Sequence, residues 1–137
     1  MTQHKLSAQD HEFRSAFEAC SVAPSQFNHA AHVRLAYVYL AENDVESAVG
    51  KMRAALMVFL HHHGIPPGKF HETLTRAWVL AVRHFMDKSG SSSAADFIAK
   101  NPELLDSNIM LSHYSGSVLF SEAARASFVE PDLDAIP

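Results

Sequence analysis

Apolar positions in this chain recur at helical spacing almost from end to end. Phe13, Ala16, Phe17 and Cys20 follow the i, i+3, i+4, i+7 rule and predict a first helix over about 8–20, with Ser7 as its N-cap. The turn SVAPSQFN leads to a second helix over about 28–42, apolar nearly all round in VRLAYVYLA, as a central helix should be. The stripe Val45, Ala48, Val49, Met52, Ala55, Leu56, Phe59 and Leu60 predicts a third helix over about 45–63, closed by Gly64 and by Pro66-Pro67. Leu74, Trp78, Ala81 and Phe85 predict a fourth over about 69–88.

Beyond the linker SGSSS the pattern shortens. Ser93, Asn101-Pro102 and Ser121 each read as the start of a short helix, and the tail EPDLDAIP is irregular. No repeat and no strand pattern is visible. The expected fold is all-α: one domain over residues 1–137, an antiparallel four-helix bundle at about 7–89, and short helices over about 91–137 that pack on it as a cover.

Short loops make consecutive helices antiparallel, so the 1–2 turn and the 3–4 turn share one end of the bundle. Extending each apolar stripe to that end reaches Cys20, His29 and His32, His63, and His71. The expectation is a polar layer of inward imidazoles at one end of an apolar core. Buried polar groups need partners. Helix N-termini keep His29, His32 and His71 neutral, the form that ligates metals or acts as a base.

Composition sharpens this. The chain holds 10 histidines against 11 Lys plus Arg, so the placement of imidazoles matters more than that of any other charge carrier. The formal net charge is −4 with no Lys/Arg-rich patch, which argues against nucleic acid as partner. No run approaches a membrane span, the start MTQHKLSAQDHEF has no apolar leader, and Cys20 is the single cysteine. A soluble cytoplasmic protein is expected, with no membrane partner and with self-association left open.

Three functional readings follow. In the first, His29, His32, His71 and His63 bind a transition metal (Zn, Fe, Ni or Cu), and His71 and Glu72 act on a small molecule. In the second, no metal is needed: Arg34, Lys69, Thr75 and Trp78 hold an anionic ligand beside an acid–base pair, His71 and Glu72. In the third, the histidines form a satisfied polar layer in a structural or interaction protein. Each motif also has a plain explanation. HAAH is a common pair on one helix face, HHHG suits a helix C-terminus, and Glu72 suits a first turn. The zinc-protease pattern H-E-x-x-H fails, because Thr75 stands where the second histidine belongs.

FNHAAHVRLAYVYL, GKFHETLTRAW and SGSVLFSEAARASFVEPD together resemble an uncharacterised family of small bacterial all-helical proteins. That family has F-x-H-x-x-H-x-R and H-E-T-x-T-x-x-W motifs. The resemblance spans most of the chain, implies a small helical fold and supplies no activity. Its motifs single out His29, His32, Arg34, His71, Glu72, Thr73, Thr75 and Trp78.

Overall fold

Side-chain acceptors decide where the helices begin. The computed structural model describes residues 3–137. Its α-helices are α1 Ala8–Glu18, α2 His29–Glu42, α3 Val45–His62, α4 Glu72–Met86, α5 Ala94–Lys100, α6 Gly116–Leu119 and α7 Glu122–Ala126. Every one opens on a side chain that accepts the third backbone N–H of the helix. The caps are Ser7, Asn28, Asp44, Ser93, Ser115 and Ser121, and, for α4, His71. Each acceptor satisfies a donor that the helix itself cannot pair. At α1 the cap is reciprocal, because Asp10 also accepts the N–H of Ser7.

The architecture is the expected helical bundle with a C-terminal segment of short helices. α2, α3 and α4 pack pairwise on one another, and α1 lies against α2 and α3. α2 is central. Val33 and the whole run Leu35–Leu40 are buried, which explains its lack of a polar face. Phe17, Leu35, Tyr37, Met52, Val79 and Val82 belong to one continuous core. α5 packs on α2 and α7 on α4, and Phe97, Leu104, Met110, Tyr114 and Leu119 carry the core into the C-terminal segment. The tail is pinned back by Tyr114, whose hydroxyl donates to the Val129 carbonyl at 2.7 Å.

Two boundaries differ from the sequence reading. α1 ends at Glu18, and Cys20 lies beyond it with φ +60°, a left-handed turn that costs a side-chain-bearing residue about 1 kcal/mol. α4 starts at Glu72 rather than near Lys69. Pro67–Lys69 form a 3₁₀ turn, Phe70 is extended, and His71 caps the helix from outside it. The third boundary agrees: His63 is the C-cap of α3, and Gly64 follows with φ +67°.

An isolated parallel bridge joins His4 to Ser91 and seats the N-terminal segment beside the α4–α5 connection. Gly90 is needed there, since a Cβ would fall 2.6 Å from the Gln3 carbonyl oxygen. Gly90→Ala is therefore expected to destabilise the fold, by about 1–3 kcal/mol for a forced backbone shift. Gly50, inside α3 with nothing within 4 Å of its Cβ position, gives the opposite sign. Gly50→Ala should add about 0.5–1 kcal/mol. Chemical denaturation of both variants checks the pair.

Candidate functional site

His71 is the best-defined of the candidate residues. Its side chain is buried, with 8% of the residue exposed. Nδ1 accepts the Leu74 N–H at 3.1 Å, closing the first turn of α4. Nε2 lies 2.7 Å from the Leu119 carbonyl oxygen, so it must be the N–H that donates. The two contacts together assign a neutral ring with its proton on Nε2, and they leave no lone pair for a metal. Burial lowers the histidine's pKa from its ordinary value, the Leu119 bond opposes that shift, and the nearby Arg125 cation reinforces it.

The rest of HETLT is committed in the same way. Glu72 forms an ion pair with Arg53 of α3 and has only 12% of its side chain exposed. Thr73 Oγ1 donates to the Ser127 carbonyl at 3.0 Å and accepts the Val129 N–H at 3.1 Å. Thr75 Oγ1 donates to the His71 carbonyl at 2.8 Å. Lys69 is exposed in the turn before the helix. Trp78 is buried and packs edge-on against His29, with ring centroids 4.5 Å apart.

HAAH divides into two environments. His29 Nε2 lies 2.8 Å from the Leu104 carbonyl and so donates to the C-terminal segment. His32 packs beside Phe27, and its Nε2 is shielded from solvent without a hydrogen-bond partner. Burial, helped by the adjacent His29, pushes its pKa down to about 4. His63 is also oriented inward, edge-on to Phe59, with a shielded and unpartnered Nε2. Arg34 pairs with Asp10 at 3.2 Å, and Asp10 is 1% exposed and further held by the N–H groups of Ser7 and Ala94. Burial alone would raise the Asp10 pKa, but the hydrogen bonds from Ala94, Ser7 and Arg34 hold it below the usual value.

The structure does not bring the four expected ligands to one point. Among the described residues no group of three or more His, Cys, Asp or Glu is placed to share an ion. The reason lies in the α3–α4 connection and in the cover. Glu72, at the start of α4, meets Arg53 in the middle of α3. His63 lies ten residues further along the chain, about 15 Å of helix rise. His29 and His71 instead reach the carbonyls of different covering segments, at Leu104 and Leu119. Cys20 is buried, with its Sγ 3.9 Å from the Val58 carbonyl.

Four histidines share one role. His4, His29, His71 and His113 place a ring nitrogen on the carbonyls of Met86, Leu104, Leu119 and Asp134, at 2.6 to 2.8 Å. Each contact bridges segments at least 21 residues apart in sequence. Sequence periodicity misses His4, which precedes the first helix. It also misses the Arg53–Glu72 pair, which joins two helices and leaves no pattern within either.

His32 makes stability depend on pH. Its folded pKa of about 4 lies below its ordinary 6.5, so the unfolded chain binds the proton more readily between those values. Stability is full above about pH 6.5 and falls as pH drops toward 4, by up to about 3 kcal/mol from this residue. His32→Leu is expected to flatten that slope in denaturant titrations run across the same range. In comparisons with known proteins, no family model, no curated protein and no solved structure matches the chain.

Proposed function

We propose that this protein is a structural or partner-binding helical module, and that its motif histidines are hydrogen-bonded joints rather than the ligands of a catalytic metal. The observation that carries this reading is the saturation of His71. A ring that accepts at Nδ1 and donates at Nε2 can neither coordinate a metal nor act as a base without dismantling the start of α4. Glu72, its expected partner, is neutralised by Arg53, and Thr73 and Thr75 spend their hydroxyls on backbone carbonyls. What remains for a partner is the outer surface. Its large apolar members among the described residues are Met57 and Val58 on α3 and, in the C-terminal segment, Leu105, Leu111, Phe120 and Leu133.

His71→Ala in untagged protein tests the reading. Loss of two hydrogen bonds and a buried ring is expected to lower the melting temperature by roughly 5–10 °C. Metal content after incubation with Zn, Fe, Ni or Cu should match that of the parent. Stoichiometric metal in the parent that disappears in the variant overturns the reading.

A second reading rests on Arg34. Its Nε and Nη2 are taken by Asp10, but the guanidinium also lines an open groove of about 520 Å³ with Phe13, Asn28, Ala31 and Ile98. A small anion would bind there through Nη1. Stabilisation by phosphate or a small carboxylate in a thermal-shift assay, abolished in Arg34→Gln, supports this reading. No shift at millimolar anion rejects it.

A further inference from the structure

Seven α-helices open on an accepting side chain, and six of those acceptors are Ser, Asn or Asp oxygens. An oxygen of this kind accepts a hydrogen bond throughout the range in which a histidine titrates. His71 Nδ1 accepts only while it carries no proton, and the same ring holds the Leu119 carbonyl of the covering segment through Nε2. The cap of α4 thus depends on one protonation state of one side chain, whereas the Nε2–H bond to Leu119 is open to either state and is lost only if the ring turns away from the Leu74 N–H.

We propose that His71 is a proton-operated latch: a proton on Nδ1 turns the cap of α4 into a donor facing the Leu74 N–H, and the ring, in turning away from that clash, gives up the Leu119 carbonyl and releases residues 116–129 from α4. This inference rests on the reading of His71 as a structural joint. The surroundings give an imidazolium no counter-charge. α6 presents the Leu119 carbonyl, and α7 presents Arg125, which opposes a second cation. On the α3 side, Arg53 already holds Glu72. Lys69 in the preceding turn adds positive charge, while Glu122 of α7 is exposed beside Arg125. The positive end of α4 acts in the same direction.

Release is linked to the mooring around His71. Thr73 bonds Ser127 and Val129, and Arg125 donates to the Gly68 carbonyl at 3.2 Å. All these contacts lie between the first turn of α4, or the loop before it, and residues 119–129. The released ring titrates near its ordinary 6.5. Each pH unit below that value should shift the balance toward release by up to about tenfold, until the docked ring also titrates.

Hydrogen exchange of the full-length protein at pH 7.5 and 5.0, corrected for intrinsic rates, tests the latch. Peptides covering 72–75 and 116–129 are expected to lose at least tenfold protection at pH 5.0, reversibly, while 33–40 keeps its protection. His71→Gln, which accepts and donates but does not titrate, should remove the difference. Equal responses in 116–129 and 33–40, or a full response retained in His71→Gln, overturns the proposal. If that variant does not fold, ¹⁵N NMR titration of the parent decides. The Nε2–H tautomer is expected at pH 7.5, and ring protonation should coincide with a change at the Leu74 and Leu119 amides. Protonation without that change overturns the latch. Added zinc separates the two claims: a zinc-shifted His71 ring at pH 7.5 overturns the joint itself, whereas a zinc-silent ring with pH-independent docking overturns the latch alone.

Discussion

The hydrogen bond from His71 Nε2 to the Leu119 carbonyl, made by the ring that also caps α4 through Nδ1, joins the two halves of the molecule. On one side stands the bundle of long helices. On the other are α6 and α7, of 4 and 5 residues, far too short to be stable alone in water. Their order is borrowed from α4. The N-terminal turn of α4 serves two purposes, starting its own helix and offering polar anchor points to the segment that covers it.

Histidine suits this work because a neutral imidazole presents one donor and one acceptor on opposite sides of a flat apolar ring. It can lie against Trp78, as His29 does, and still reach a carbonyl beyond. His4 uses the same device at the N-terminus, where Tyr37 also donates to the Lys5 carbonyl. These polar ties sit at the margins of the core, where the end of α4 and the short covering segments supply carbonyls. His32 and His63 make no such tie: each is turned inward against a phenylalanine with its Nε2 unmatched. At His32 the cost appears as a ring that resists protonation.

Much of the fold is legible in the residue pattern. Helix spacing, Ser7 and the Gly64 stop locate the long helices, and Ser93 and Ser121 locate two of the short ones. His71, Glu72, Thr73, Thr75 and Trp78, which the sequence motifs single out, each make specific contacts along the first two turns of α4. What they contact is not legible. Periodicity tells which face of a helix is buried, but not how far one helix slides along another, so the ten residues from Arg53 to His63, about 15 Å of helix rise, leave no trace in it. Extending the apolar stripes therefore suggests a convergence of imidazoles that the α3–α4 connection does not produce.

By itself, the sequence determined the local quantities: which segments are helical, where most of them start and stop, which residues are buried, and that no helix among the described residues is long and apolar enough to cross a membrane. Those follow from interactions within a turn or two of helix. Tertiary structure alone decided the partners of the histidines. A backbone carbonyl carries no residue identity, so the carbonyls of Leu104 and Leu119 cannot be recognised as acceptors until the chain returns, 75 and 48 residues later, to place them against His29 and His71.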